Sequence, residues 1–349
     1  PTLEARLARE NVWLQVDGHD SRADLSLQHT HFTDPKPYLQ HGAIDTADTR
    51  LHAELSYGAL ALKQYSFGVR PRIDWISSSD YGTHLRGGVD IGWFGESEHG
   101  SLTQHYDIGA TVSSDAGSNP LARYSISYEF SETVTAYTSA GYAVRHPDFE
   151  ELYLANSGSV QGNPDLLPER VLNYEAGLRL RGSRWSLDTA AFFSDYRDSI
   201  IFAPVSAYLV RAINTGEATV AGAEANFALD LSDALSWNTS ATWLPLAELA
   251  SGLPLPGRAE QHISTTIALR SCAWRASATA DYTGAMTADL FGSLRIVQRT
   301  VINLDAWHVL DADSELGVQV TNALDANTRD AWHYPLPGRE IFLTWRTNL

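Results

Sequence analysis

Residues 172–181 read LNYEAGLRLR and residues 274–282 read WRASATADY, so apolar and polar side chains alternate strictly in both segments. Successive side chains of a β-strand point to opposite faces, and each segment therefore has one apolar face and one polar face. Soluble sandwiches show such runs over roughly five or six residues. Runs of about ten residues suit a tilted strand that crosses a bilayer, so the pattern predicts an all-β, antiparallel transmembrane barrel.

The composition agrees with this fold class. The chain has 349 residues, of which 44% are hydrophobic and 19% are charged. No apolar run reaches the roughly twenty residues that a spanning helix needs, and the most apolar window, residues 200–210, contains Pro204. The 15 Tyr and 10 Trp residues suit the aromatic girdles of a barrel. A soluble all-β binding or hydrolytic protein is the alternative that these long alternations disfavour.

The alternation predicts about seventeen strands in one domain, residues 1–349, within a range of 16–18. They lie near residues 8–18, 21–32, 48–58, 62–76, 84–95, 100–114, 121–130, 134–145, 169–181, 184–199, 211–230, 234–247, 257–270, 273–285, 297–310, 315–327 and 337–349. Short turns alternate with longer loops near residues 146–168, 200–210, 248–256, 286–296 and 328–336. Outer-membrane barrels have short periplasmic turns and long extracellular loops, which places these five loops outside and Leu349 in the periplasm. The side chains predicted to face lipid include Leu172, Tyr174, Leu178, Trp274, Leu316 and Val318.

Charge and residue chemistry exclude several functions. The net charge of −17 disfavours nucleic-acid binding, which needs a basic patch. Acidic loops or an acidic lumen would suit a cationic or metal-bearing ligand, although an ordinary solvated acid excess explains the charge as well. Cys272 is the single cysteine, so an intramolecular disulfide and a thiolate metal cluster are excluded. Neither a Gly-x-Ser-x-Gly elbow nor a His-Glu-x-x-His motif occurs, so we expect no enzyme and no cofactor.

The weak candidates for a metal site are His29 and His31. Two residues apart on one strand, they share a face at a spacing that could hold a metal ion. Polar lumen or loop histidines without a ligand explain the pair equally simply. We therefore predict no metal site.

Five short segments follow one another in a characteristic order. They are Arg145-His146-Pro147 with Glu150-Glu151-Leu152-Tyr153; Asn163-Pro164-Asp165-Leu166-Leu167-Pro168-Glu169 with Tyr174-Glu175-x-Gly177; Asn214-x-Gly216 with Val220-x-Gly222-x-Glu224; Val320-Thr321-Asn322-Ala323-Leu324-Asp325; and Tyr334-Pro335-x-Pro337-Gly338-Arg339. Together they resemble the C-terminal β-barrel of TonB-dependent outer-membrane receptors. The resemblance covers residues from about 120 to 349, whereas residues 1–120 share only the barrel pattern.

The motif residues also have a structural interpretation, in which they build the barrel and do not contact a ligand. Prolines stiffen the loops because they fix φ and cannot donate to a ladder, and glycines relieve crowding where strands curve. Glu175, Gly177 and Glu224 fall on the polar face. The residues assigned this structural role are Arg145, Pro147, Glu151, Asn163, Pro164, Pro168, Glu169, Glu175, Gly177, Gly222, Glu224, Asn322, Asp325, Pro337, Gly338 and Arg339.

The resemblance implies a receptor in the outer membrane of a Gram-negative bacterium, surrounded by lipid. Such a receptor imports a scarce large nutrient of the ferric siderophore, cobalamin or haem class, that is, an iron- or cobalt-bearing small molecule. TonB, driven by the proton-motive force, acts on a plug, and nothing in residues 1–120 resembles that plug. The alternative is a plugless, porin-like passive channel. Substrate contacts are expected from loop residues, although an interfacial girdle would use similar aromatics: Tyr153, Tyr208, Arg211, Phe291, Trp332, His333 and Tyr334.

The strand count suggests that the chain is part of a larger barrel. An odd number of strands, a first strand that runs towards the periplasm and the missing plug agree with a receptor of about 22 strands that continues beyond this chain. A shortened barrel that closes on fewer strands is the alternative.

Overall fold

The computed structural model describes residues 6–18, 21–34, 44–62, 65–155, 160–206, 209–289, 291–311, 313–329 and 335–347. Seventeen strands belong to one large sheet, as the alternation predicts. Strands that follow one another pair antiparallel, for example within residues 6–113 and within residues 217–283. No helix in the described part of the chain is long and apolar enough to span a membrane.

The bounds of the seventeen strands are β1 (Arg6–Asp17), β2 (Ser21–Asp34), β3 (Ile44–Leu62), β4 (Tyr65–Ser78), β5 (Gly82–His99), β6 (Leu102–Ser113), β7 (Gly117–Ser131), β8 (Val134–Arg145), β10 (Glu169–Arg181), β11 (Trp185–Arg197), β14 (Glu217–Asp230), β15 (Leu235–Leu249), β16 (Gln261–Arg270), β17 (Trp274–Thr283), β20 (Arg299–Val309), β21 (Ser314–Thr321) and β22 (Glu340–Thr347). The longer connections carry the helix α1 (Phe149–Tyr153) and the short strands β9 (Val160–Gln161), β12 (Ile200–Ser206), β13 (Leu209–Asn214), β18 (Met286–Thr287) and β19 (Arg295–Ile296).

Among the described residues, three of the predicted loops contain strands, since β9 lies within the 146–168 connection. The segment near 200–210 forms a hairpin of β12 and β13, to which β9 adds in parallel, and the segment near 286–296 contains the pair β18–β19. Ile200, Ile201 and Val210 favour extended backbone, and Pro204 lies where the register of the hairpin shifts. The predicted strand at 211–230 is two strands, because Gly216 has a φ of 86° and interrupts it.

The chain divides into two compact units. Unit 1 comprises Pro1–Ser125, Ala140–Leu172 and Tyr196–Glu217, and unit 2 comprises Ile126–Ser139, Asn173–Asp195 and Ala218–Leu349. The described residues of each unit include strands of the large sheet and the longer connections between them.

The apolar face of unit 2 ends in aromatic residues at both edges. On β17, Trp274 and Tyr282 lie on one face with three alanines between them. Each of these alanines has at least one larger partner on the neighbouring strands; Ala278, for example, pairs with Ile267 and Leu304. Large apolar side chains are exposed along this face, as a lipid-facing surface requires, and those predicted to face lipid are among them: Tyr174, Leu178, Trp274, Leu316 and Val318.

Unit 1 repeats the pattern on β1–β5. Val12, Leu27, Leu51, Trp75 and Leu85 form one row across the five strands by direct pairing. The next row towards the longer connections is polar and consists of Glu10, His29, Thr49, Ser77 and Thr83. On the side of the longer connections, the apolar band of unit 1 therefore ends at the row that contains Trp75. Leu172, which also belongs to this unit, is half-buried.

Candidate functional site

The 146–168 connection of unit 1 is attached to the end of β8 by Arg145. Nη1 and Nη2 of Arg145 donate to the two carboxylate oxygens of Glu151 at 3.0 and 2.9 Å. Glu151 Oε2 also accepts the backbone N–H of Asp148 at 2.7 Å, which stabilises the first turn of α1. A bidentate guanidinium–carboxylate pair has a specific geometry, so this contact orients α1 on the strand end.

The same arginine holds the far end of the connection. Nε of Arg145 donates to Glu169, the first residue of β10. The other carboxylate oxygen of Glu169 accepts the backbone N–H of Ile200 at 2.6 Å. Arg145, Glu151 and Glu169, which we call the arginine clamp, thus join three separate segments of unit 1.

Two asparagines add amide contacts between the same segments. Oδ1 of Asn163 accepts Nη2 of Arg211 at 3.0 Å. Oδ1 of Asn214 accepts the N–H of Leu167 at 2.9 Å, and its Nδ2 donates to the carbonyls of Leu167 and Asp198 at 3.0 and 2.6 Å. The prolines Pro164 and Pro168 flank this segment. Its backbone is therefore held by side chains where a regular ladder is absent.

A small apolar cluster lies beneath these polar contacts. Leu152 of α1, Leu166, Ile200 of β12 and Ala212 of β13 are buried together, and Tyr153 packs against them. Each segment contributes at least one apolar side chain, so none of them can leave without exposing the others. Two of the longer connections of unit 1 therefore form one packed rim, composed of residues 145–155, 160–169, 198–206 and 209–214.

Arg211 is the cationic residue of this rim that has no anionic partner in the described chain. Its Nη2 donates to Asn163, while its Nε is buried without a hydrogen-bond partner among the described residues. The side chain as a whole is half-buried. A guanidinium held in place by a neutral amide keeps its full charge and can attract an anionic group.

An aromatic stack lies on the other side of α1. The ring of Tyr153 lies 3.7 Å from that of His84 between centroids, at an interplanar angle of 6°. The guanidinium of Arg86 lies 4.8 Å from the centroid of Phe149 and donates to the carbonyl of Pro147 at 2.7 Å. These contacts position Tyr153 from outside the apolar cluster. The sequence pattern did not indicate His84 or Arg86, because both lie on a strand about 60 residues earlier.

Two titratable groups of the turns beside this stack have shifted pKa values. Burial opposes the ionised form of Asp115, but the hydrogen bonds from Ser113 and Arg86 outweigh it and hold the pKa of Asp115 below its usual range. For His146, burial and then the guanidiniums of Arg72 and Arg86 lower the pKa. His146 is therefore neutral at physiological pH and lies 3.3 Å from the amide of Asn119.

In unit 2 the motif residues after β21 close the last long connection. Asn322 is buried, with a positive φ of 47°, and its side chain accepts the N–H of Ala326 at 2.9 Å. Its Nδ2 donates to the carbonyls of Ala326 and Pro337 at 2.9 and 3.2 Å. Asp325 Oδ1 accepts the N–H of Arg339 at 2.8 Å, and a Cβ on Gly338 would lie 2.9 Å from that oxygen. These contacts join both ends of the connection.

The motif glycines in unit 2 make room for neighbouring groups. A Cβ on Gly177 would lie 2.5 Å from the ring of Tyr137, and one on Gly222 would lie 2.4 Å from the carbonyl of Trp243. Glu224 pairs with Thr242, which places it on the polar face, and Tyr137 interacts with Glu175. The observed contacts of these residues are with other parts of the sheet.

Phe291 lies at the tip of the turn between β18 and β19, with 66% of its surface exposed. Asp289 accepts the backbone N–H groups of Phe291, Ser293 and Leu294 at 3.2, 2.9 and 2.8 Å. The hydroxyl of Ser293 and then these amides lower the pKa of Asp289. The turn thus presents Phe291 in one orientation.

The predicted contact residues are distributed as follows. Tyr153 and Arg211 belong to the rim of unit 1, Phe291 belongs to unit 2, and four lie outside the described residues: Tyr208, Trp332, His333 and Tyr334. The weak metal candidates His29 and His31 lie on β2. They pair with Glu10 and Ala8 on the face that carries Leu25 and Leu27, because every second residue of β2 shares that face. In the part of the chain that the structure describes, no cluster of three His, Cys, Asp or Glu residues could hold a metal ion.

A single large antiparallel sheet with an aromatic-edged apolar face defines an outer-membrane β-barrel protein. The model of the family described as TonB dependent receptor-like, beta-barrel matches residues 7–329, and the chain belongs to this family. The protein is therefore a component of the outer membrane.

Individual relatives are more distant. The chain is 29% identical over 129 residues to the iron-regulated outer membrane virulence protein of Vibrio cholerae serotype O1. The matched segment covers 32% of this chain and 20% of that protein. A structure of the ferric enterobactin receptor PfeA of Pseudomonas aeruginosa has a TM-score of 0.79 at 16% identity, and covers 98% of this chain and 62% of that one. The siderophore receptor PirA of Acinetobacter baumannii has a TM-score of 0.76 at 15% identity, with coverage of 98% and 62%. The chain spans less than two thirds of these proteins.

Proposed function

We propose that this chain is the barrel part of a TonB-dependent receptor that takes up a scarce, metal-bearing nutrient of the ferric siderophore, cobalamin or haem class. Two of the similar structures are described as a ferric enterobactin receptor and a siderophore receptor, and the relative in Vibrio is described as iron-regulated. In this proposal, TonB acts through a plug and the barrel performs no chemistry on the substrate.

The observation that carries this proposal is the packed rim of unit 1 with Arg211 on it. A passive channel needs no ordered rim, whereas a receptor benefits from one, because a rigid site loses less entropy when its ligand binds. The guanidinium of Arg211 is already held by Asn163, and Tyr153 is held by its stack with His84. A cation and an aromatic ring that are each held in place within one rim suit a planar, anionic chelating group of a ferric complex.

A binding experiment tests this role of Arg211. The probes are ferric enterobactin, ferrichrome, haemin and cyanocobalamin, titrated against the full-length receptor in detergent with tryptophan fluorescence as the readout. We expect at least one probe to bind. Arg211→Ala should weaken the binding of an anionic probe by about tenfold or more, because a charge-assisted contact is lost. Arg258→Ala, at an exposed arginine in the 250–260 connection, is the control and should leave affinity unchanged.

Two results would contradict the proposal. One is that none of the four probes binds to the folded receptor. The other is that the receptor conducts ions through planar bilayers as an open channel without TonB, since this would favour the passive channel.

The sidedness of the longer connections is part of the same proposal. Cys272 lies exposed in the short turn between β16 and β17, on the side assigned to the periplasm. A membrane-impermeant maleimide added to whole cells should therefore leave the native protein unlabelled and should label Ser251→Cys in the 250–260 connection. Equal labelling of the two proteins would overturn the topology.

A further inference from the structure

The apolar face of unit 2 contains a concavity. It has a volume of about 930 Å³ and is lined by residues of β8, β10, β11, β14, β15 and β16. Its floor is made by alanines, among them Ala176, Ala191, Ala223, Ala225 and Ala241. We call it the alanine groove.

Sequence and backbone together produce the groove. Ala225 pairs directly with Ala241, so two small side chains are adjacent at the floor of the groove. A β-bulge between Ala221 and Ala223 interrupts the register of β14 and bends the strand beneath the floor. Larger side chains then stand around the floor as walls, including Leu178, Trp243 and Ile263, which are 45%, 51% and 39% exposed.

The groove lies at the edge of the apolar band that faces the longer connections. The row Ala225, Ala241, Ile263 continues to Tyr282, the aromatic residue at that edge of β17. The next row contains Trp243 and Gln261. Nε1 of Trp243 donates a hydrogen bond to the carboxylate of Glu260 at 3.4 Å. The groove is therefore apolar along its floor and polar at the end that meets the membrane interface.

We infer that the alanine groove binds one acyl chain of an outer-membrane lipid from the leaflet on the side of the longer connections. A chain that enters from the interface would keep its headgroup near Gln261 and Glu260 and its hydrocarbon on the alanines. The volume is in the range of small-molecule sites, about 300–1,000 Å³. A second copy of the protein is a poorer occupant, because sixteen residues line the groove and a stable interface uses about 20–30 on each side.

The first experiment measures lipid that stays with the protein. The receptor is purified from outer membranes, exchanged repeatedly into detergent, and the retained lipid is quantified by mass spectrometry. Ala225→Leu and Ala241→Leu fill the groove and should reduce retained lipid by about tenfold, because several methylene contacts are lost. Ala278→Leu is the matched control: it adds the same side chain to the same face, beside Ile267 and Leu304, and should retain the native amount.

A second experiment does not depend on groove-filling variants. The native receptor is reconstituted with a small fraction of dibrominated phosphatidylcholine, which quenches nearby tryptophans. In the native receptor, part of the quenching should persist when unbrominated lipid is added. This part should disappear in Trp243→Phe and remain in Trp237→Phe, because of these two tryptophans only Trp243 lines the groove.

Three outcomes would overturn the inference. The first is equal lipid retention in the filled and control variants. The second is quenching that falls with dilution in the native receptor as fast as in Trp243→Phe. The third is a native dimer that Ala241→Leu dissociates, which would assign the groove to a second copy of the chain.

Discussion

The polar faces of the two units differ in the contacts at their strand middles. In unit 1 guanidiniums meet carboxylates: Arg72 donates twice to Asp90 at 2.9 and 2.8 Å, and Arg86 pairs with Asp115 at 2.6 Å. In the middle of the unit 2 strands the contacts are short hydroxyl bonds, such as Ser264 to Asp281 at 2.6 Å and Thr266 to Thr279 at 2.9 Å. In unit 2, ion pairs such as that of Arg346 with Glu315 at 2.8 Å lie at the strand ends.

The longer connections follow the same division. The arginine clamp holds those of unit 1, whereas the amide of Asn322 and backbone groups hold the last connection of unit 2. Strand alternation alone is compatible with either chemistry, since it requires only that the face be polar. The difference therefore predicts that unit 1 responds to charge removal, salt and pH, while unit 2 responds mainly to the loss of neutral hydrogen bonds.

The largest effect is expected from Arg86→Met. The arginine side chain is 10% exposed, and its removal leaves the carboxylate of Asp115 with the Ser113 hydroxyl but without a cationic partner. We expect the free energy of unfolding to fall by about 3 kcal/mol, measured by urea titration in lipid vesicles. Thr279→Val in unit 2 is the control and should cost about 1 kcal/mol or less. Equal losses in the two variants would remove the distinction between the units.

Next in size is Asn322→Ala, which should cost about 2 kcal/mol because backbone groups of Ala326 and Pro337 lose a buried partner. Asn322→Gly loses the same hydrogen bonds but tolerates the positive φ, so it separates bond loss from backbone strain. The decrease in the free energy of unfolding should be the same in low and in high salt. A strong salt dependence would show that charge also contributes here.

A smaller and local effect is expected from Arg145→Ala. Because the arginine is 43% exposed, its ion pairs are screened, and we expect a loss of about 1 kcal/mol. Hydrogen exchange should show it as faster exchange at the amide of Ile200, which depends on Glu169. Arg184→Ala in unit 2 removes a more exposed pair with Asp233 and should change nothing. Unchanged exchange at Ile200 would mean that the apolar cluster holds the rim without the clamp.

The smallest effect concerns pH and His146. Its folded pKa lies below its unfolded value, so the native state binds fewer protons than the unfolded state. The resulting stability is complete above about pH 6.5 and is lost as the pH falls through the folded pKa. His146→Gln should remove this part of the pH dependence in melting curves recorded between about pH 7 and pH 5. Identical curves for both proteins would show that protonation of His146 does not affect folding.

The number of predicted strands agrees with the number of strands in the large sheet, but some predicted boundaries differ from the observed ones. Strand alternation is a local property, so it marked the seventeen strands of the sheet even in residues 1–120, where no family motif occurs. The pattern missed β12, where Pro204 and the short run resemble a loop, and it assigned part of β13 to the predicted strand at 211–230. Their hairpin is stabilised by β9, which lies 40 residues earlier, and by the cluster around Leu152.

The candidate site was predicted only in part. Arg211 and Tyr153 are recognisable as a cation and an aromatic in long loops. Their partners are not, because Asn163 lies 48 residues from Arg211 and His84 lies about 70 residues from Tyr153. Such pairs depend on register and on how two connections pack together, which a linear pattern does not contain.

The sequence by itself determined which side chains share a face, since the two-residue period of a strand leaves no other choice. It also determined the family, because the five motif segments keep their order. Only the tertiary structure decided what those faces do. The pairing of Ala225 with Ala241 turned two ordinary alanines into a groove, and the arrangement of three distant segments around Arg145 turned a motif into a clamp. The physical reason is that a side chain's role depends on its neighbours in space, and these come from strand register and chain packing.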